Sequence, residues 1–240
     1  MPFQPVGSTR LYQHVANQID ELIRKEEFPV GHRLPPERDL AKMLEVSRPM
    51  VREAMVALEI AGLIEVRSGS GTFVKAPVRQ RPPLSVFNLG DIGPSPFDII
   101  SARILIESEI AYLAAINARD QDIADIAALL EKMHEHKTQQ ESHYETDRKF
   151  HIRIAAATGN MMLSSIVEAL WDHQYALAFK VLSERTRLPE NRDATLNDHH
   201  HILEALRRHD ADEARDAVRA HLSQVVDVLL RDETEGDNHG

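Results

Sequence analysis

The chain has 240 residues, enough for two domains with separate cores, and its 42% hydrophobic and 5% aromatic content fits an ordinary helix-rich protein. It contains no cysteine, which excludes disulfides and thiolate metal sites, and its formal charge is −10. The acidity is uneven: residues 1–75 hold ten Lys/Arg against ten Asp/Glu, whereas residues 76–240 hold eighteen against twenty-eight, together with eleven of the thirteen His. A neutral first part can approach a polyanion, and an acidic second part is repelled by one, so two domains with different chemistry are expected. No charged-then-apolar leader opens the sequence, and no apolar run reaches the about 18 residues of a membrane span, so a cytoplasmic protein with no membrane partner is expected.

In chain order, Leu11, Val15, Ile19, Leu22 and Ile23 recur at helical spacing, predicting a first helix between Arg10 and Glu26 that ends at Phe28-Pro29-Val30-Gly31. Pro35 and Pro36 open a short amphipathic helix from Glu37 to Leu44. Ser47 stands where an N-cap belongs, its hydroxyl placed to accept from the first-turn amides of a helix that runs to Ala61 and stops at Gly62. Leu40, Leu44, Val51, Ala54, Met55 and Leu58 complete a small three-helix core. Leu63 to Val66 and Thr72 to Val74, parted by Ser68-Gly69-Ser70-Gly71, read as a hairpin with a glycine-rich tip. Helix, turn, helix, hairpin makes a winged helix-turn-helix over residues 1–75.

Its arginines point to DNA. Arg38 lies early in the first helix of the motif, and Arg48 and Arg52 are four apart on the second, at the end that would enter a major groove. A guanidinium pairs with guanine O6 and N7 or clamps a phosphate. Arg67 and the wing glycines allow close approach to backbone phosphates. The plainer alternative makes these solvated charges paired with Glu37, Asp39 and Glu53. The stretch LPPERDLAKMLEVSRPMVREAMVALEIAGLIEVRSGSGTFV resembles the DNA-binding domain of the GntR family of bacterial transcription regulators, and the likeness spans residues 10–75. That resemblance implies contacts to double-stranded DNA by Arg38, Ser47, Arg48, Arg52 and Gly69. Where the family often places Thr, Arg or His near the wing tip, this chain has Ser68.

Residues 76–96 carry Pro77, Pro82, Pro83, Pro94 and Pro96 with Gly90 and Gly93, too many breakers for regular structure, and read as a linker. Only helical patterns follow, over 97–119, 121–140, 142–158, 161–182, 191–208 and 211–232. Breaks fall at Asp120, Gly159-Asn160, Pro189 and His209-Asp210. The expected fold class is mainly α: a winged helix-turn-helix, then an all-α bundle of six to seven helices over residues 97–232, with a disordered tail at 233–240.

Asp147 and His151 are four apart on one helix, on the face of Phe150 and Ile154. His199 lies on the apolar face of its helix with Ile202 and Leu203, while His200 and His201 rotate away, and His221 faces inward between Val218 and Val225. Three imidazoles and a carboxylate converging inside a bundle suit Zn²⁺ or a similar divalent cation, although a lone His on an apolar face is more often a hydrogen-bonded core residue. The set also resembles the C-terminal domain of the FadR-type branch of GntR regulators, whose metal-binding members use an Asp and three His. Matched motif by motif, that implies Asp147, His151, His199 and His221 as ligands of one divalent metal, zinc first.

Arg103 interrupts the apolar stripe of Ile99, Ile106 and Ile110, and a buried cation needs a partner. Glu107, at i+4, is one candidate. The other is the carboxylate of a small effector, for which a guanidinium is a two-point clamp, a role an Arg in this helix has in the family. Trp171, Tyr175 and Asn197 are candidates to line the same cavity. The stretches GPSPFDIISARILIESEIAYLAA and HHHILEALRRHDADEARDAVRAHL further resemble regulators of hexuronate utilisation, which makes a sugar acid the first expectation for the effector. The resulting reading is a metabolite-responsive repressor that binds a palindromic operator as a homodimer. Two alternatives stay open: a purely structural metal, and a metal-dependent hydrolase or isomerase. Against the enzyme stands the absence of a spare inward Glu or Ser placed for catalysis beside the ligands.

Overall fold

The computed structural model describes residues 11–67, 69–75, 93–135, 140–173, 176–186 and 192–231. Apart from its last four residues, the expected linker lies outside them, as do Ser68, Tyr175, Pro189 and the tail at 233–240. The chain divides into two compact units: Met1–Gly93 with Leu230–Gly240, and Pro94–Leu229.

The first unit contains α1 (Leu11–Arg24), α2 (Glu37–Met43), α3 (Arg48–Ile60), β1 (Ile64–Arg67) and β2 (Gly71–Val74), the winged helix-turn-helix expected from the pattern. On α1 the buried stripe is Tyr12, Val15, Ala16, Ile19 and Ile23; Leu11, in the first turn, is 60% exposed, and Tyr12 takes the place expected of it. Val51, Ala54, Met55 and Leu58 of α3 close the small core with Leu40 of α2, whereas Leu44 is half-buried. The stop after α3 is built on Gly62, whose φ of 70° favours glycine. Its N–H donates to the Glu59 carbonyl at 2.8 Å and the N–H of Leu63 to the Leu58 carbonyl at 2.9 Å, which satisfies two end carbonyls and turns the buried Leu63 into the wing. The hairpin pairs Ile64 with Val74 through Arg67 with Gly71. A third extended segment escaped the pattern: Arg33 bridges Phe73, with backbone bonds from Leu34 to Thr72 and from Val74 to His32.

Ser47 departs from expectation. Its backbone is extended, as an N-cap requires, and its carbonyl accepts from Val51 N–H at 3.2 Å, but its hydroxyl makes no capping hydrogen bond. The side chain is exposed instead.

The second unit is all helix in its described residues: α4 (Pro96–Asn117), α5 (Asp120–Glu135), α6 (Gln140–Ala157), α7 (Met161–Asp172), α8 (Leu177–Arg185), α9 (Arg192–Arg207) and α10 (Ala211–Leu229). Pro96, expected as the last breaker of the linker, is the first residue of α4; Ser95 caps it by accepting from Asp98 N–H at 3.0 Å. The single helix expected over 161–182 is two. Val167, Trp171, Ala178 and Leu182 keep one helical phase across the break, and no Gly or Pro marks it, so periodicity alone does not reveal it. The α9–α10 turn is made by His209 at φ 53°, a left-handed position without glycine, with Asp210 N–H donating to the Ala205 carbonyl at 3.0 Å. Phe150, Trp171, Ile126, Leu130, Leu203 and Leu222 fill the bundle core. No helix among the described residues is long and apolar enough to cross a membrane.

Candidate functional site

α6, α9 and α10 each carry imidazoles or a carboxylate into the core of the second unit. Asp147 and His151 are one turn apart on α6, His199 is on α9, and His221 is on α10. His151, His199 and His221 are 3%, 0% and 4% exposed, and one ligating nitrogen from each lies within 4.8 Å of the others. His200 and His201 are exposed, as helical rotation requires.

Hydrogen bonding sets which nitrogen each ring offers. His151 Nδ1–H donates to Glu107 Oε2 at 2.6 Å, and His221 Nδ1–H donates to Asp198 Oδ2 at 3.3 Å. His199 Nδ1 lies 3.2 Å from Met133 Sδ. With Nδ1 of His151 and of His221 donating to carboxylates, Nε2 of each ring carries the lone pair that a metal would take. Asp147 Oδ1 lies 3.5 Å from His151 Nε2 and 3.4 Å from His199 Nε2. Asp147 Oδ1 and His151 Nε2 are buried and make no hydrogen bond, an arrangement that costs about 1–3 kcal/mol for each such group. Burial opposes a charge on Asp147, but the three imidazoles around it hold its carboxyl well below the usual range. Burial likewise pushes His151 down, and the carboxylates of Glu107 and Asp147 more than offset it, so its pKa is raised. At His221 burial dominates and lowers the pKa, keeping the ring neutral. A carboxylate oxygen and three imidazole nitrogens turned towards one another are a donor set that suits a divalent metal.

Arg103, on α4, is 2% exposed, and Glu107 takes it by the i+4 pairing: Nε donates to Oε1 at 2.6 Å. Its guanidinium carbon sits 4.0 Å from the Trp171 ring centroid, and Trp171 lies 5.2 Å from His151. The cation, the indole and the metal-type cluster are therefore contiguous. Asn197 is exposed. Glu107 is itself 3% exposed and bonds His151, so an inward Glu that the sequence did not assign to the cluster stands beside it, and Ser108 on the same helix is 0% exposed. Burial would raise Glu107, but Arg103 and His151 lower it to about 2. Its i+4 relation to Arg103 was visible in the sequence; its contact with His151, across two helices, was not.

In the first unit, Arg38 on α2 and Ser47, just before α3, are exposed. Arg67 and Gly69 are exposed on the wing, with the Arg67 guanidinium 4.5 Å from the Phe73 ring centroid. Arg48 is half-buried and donates to the Leu230 carbonyl at 2.9 Å. Arg52, expected to read DNA, is engaged inside the first unit. It is 3% exposed, its Nε donates to Glu37 Oε2 at 2.6 Å, and its Nη1 donates to the Arg231 carbonyl at 2.9 Å. Glu37 sits in the first turn of α2 and is buried too, so the pair ties α2 to α3 from inside.

Residues 11–74 match the family described as bacterial regulatory proteins, gntR family, and residues 98–224 match the FCD domain. The Uxu operon regulator of Haemophilus influenzae is 35% identical over 235 residues, spanning 96% of this chain and 86% of its own. The Exu regulon transcriptional regulator of Escherichia coli is 37% identical over 231 residues, spanning 95% and 87%. Of solved structures, E. coli McbR/YncC shares the fold at a TM-score of 0.50 and 23% identity, over 92% of this chain and 97% of that one. These relatives are named as regulators rather than enzymes, which sets the hydrolase and isomerase alternatives aside. A DNA-binding head of one matched type joined to a helical domain of the other makes this chain a transcription regulator of the GntR family, in its FadR-type, FCD-domain branch.

Proposed function

We propose that this regulator is a homodimeric repressor that binds a palindromic operator and is controlled by a sugar acid bound beside a divalent metal. Asp147, His151, His199 and His221 hold the metal, with zinc the best match to a set of imidazole nitrogens and one carboxylate. Arg103 takes the effector carboxylate. The observation that carries the reading is the convergence of three buried imidazoles within 4.8 Å around Asp147, with Oδ1 of Asp147 and Nε2 of His151 left without hydrogen bonds. The sugar-acid class rests on the likeness to regulators of the Uxu operon and Exu regulon. Arg38, Ser47, Arg48, Arg67 and Gly69 contact DNA, Arg48 by exchanging its hydrogen bond with the Leu230 carbonyl. A dimer is supported by α4, where Leu105, Leu113 and Ile116 are 70%, 40% and 56% exposed on one face.

Operator DNA, mapped by footprinting upstream of the regulator's own gene, provides the test. Hexuronates and aldonates are titrated against the complex with zinc present and after chelation. The expected result is a change of about 5–150-fold in operator affinity that needs zinc and disappears in Arg103→Ala. A panel without any response contradicts the effector. A second reading, a purely structural metal, has Arg103's existing bond to Glu107 in its favour. A zinc-dependent thermal midpoint together with that silent panel would select it.

A further inference from the structure

The geometry points to Glu107 as a positioning residue that joins the metal half of the ligand site to its carboxylate-binding half. The inference rests on the metal reading above and assigns a task to a side chain outside the ligand set. Glu107 is 3% exposed, and a carboxylate taken that far from water costs several kcal/mol unless both oxygens find donors. They do: Oε2 accepts from His151 Nδ1 and Oε1 from Arg103 Nε, each at 2.6 Å.

Two consequences follow from one side chain. An imidazole has two tautomers, and the bond to Glu107 selects the one with the proton on Nδ1. The lone pair is then on Nε2, the buried atom 3.5 Å from Asp147 Oδ1 that makes no hydrogen bond. The guanidinium of Arg103 is fixed at the same time, held edge-on by Glu107 and face-on by the Trp171 ring at 4.0 Å. Among the described residues its hydrogen bonds go to Glu107 alone, through Nε and, at 3.5 Å, Nη2, so the Nη1 side is what it presents to a ligand carboxylate. A shift of Glu107 moves the metal ligand and the clamp together. Asp198 serves His221 more loosely, at 3.3 Å and with 16% of its side chain exposed, and orients no cation of the site.

The test uses the full chain, zinc alone as ligand, and a competing chromogenic chelator. In Glu107→Gln one of the two donors meets an amide N–H₂ in place of an oxygen, and zinc affinity is expected to fall about 10–100-fold, with a changed visible spectrum of the Co²⁺-substituted protein. Trp171 is the only tryptophan, so its emission reports on the guanidinium above it and is expected to shift in the same variant. Glu109→Gln, at an exposed neighbour on α4, is expected to change neither. Should Glu107→Gln fail to fold, Glu107→Asp keeps the charge, loses the reach to both donors, and is expected to fall between the two affinities. A folded Gln or Asp variant that binds zinc within about twofold of the parent, with unshifted emission, overturns the assignment and leaves the metal site standing. A parent chain that binds no zinc overturns the metal reading itself.

Discussion

Arg52→Ala is expected to destabilise the DNA-reading head by about 3–5 kcal/mol, because it removes one member of a buried ion pair with Glu37. Domains of this kind are stable by about 5–15 kcal/mol, so the loss exposes α2 and α3 to frequent unfolding. The measurement is amide hydrogen exchange of those helices in the full chain, where the helical unit serves as an internal reference. Arg38→Ala is the contrast: the side chain is 68% exposed and only 3.8 Å from Asp39 at its nearest, so stability stays within about 0.5 kcal/mol while operator binding weakens by about 1–3 kcal/mol. A cycle with Glu37→Ala isolates the pair, and the double variant is expected to be less destabilised than the sum of the singles. If Arg52→Ala leaves exchange in α2 and α3 unchanged and lowers operator affinity alone, Arg52 reads DNA and the buried pair does not govern the head.

His199→Ala is expected to abolish the zinc-dependent part of the helical unit's stability. His199 is the most buried of the proposed ligands, 0% exposed, with its ring 4.5 Å from those of Phe150 and His221. Truncating it also leaves a cavity, so the absolute thermal midpoint falls whether or not a metal binds. The zinc increment separates the two effects. In the parent, free zinc at about a thousand times its dissociation constant adds about 4 kcal/mol, and in the variant that addition is expected to vanish. His201→Ala, at an exposed position, is expected to keep it. An increment that survives in His199→Ala and is lost in His201→Ala transfers the ligand role.

Which features were legible in the sequence follows from the range of the interactions behind them. The inward placement of His151, His199 and His221, and the outward turn of His200 and His201, follow from helical period, a local property. Gly62 announced the end of α3 for the same reason: one backbone position needed a left-handed residue. Pairing of Arg52 with Glu37 was one alternative open in the sequence, but its burial was not legible, because Glu37 lies fifteen residues earlier on another helix and only the packing of α2 on α3 closes that distance. Glu107 was legible as a neighbour of Arg103 and illegible as a neighbour of His151, whose contact joins α4 to α6. The α7–α8 break was hidden because the apolar phase runs through it, and the bridge from Arg33 to Phe73 because one residue pair has no period.

Asp147, His151, His199 and His221 are proposed to form one metal site. The most direct measurement is the metal content of untagged protein after zinc loading and exhaustive dialysis, by elemental analysis. One zinc per chain is expected, lost in His199→Ala, and a content well below one in the loaded parent protein contradicts the metal site.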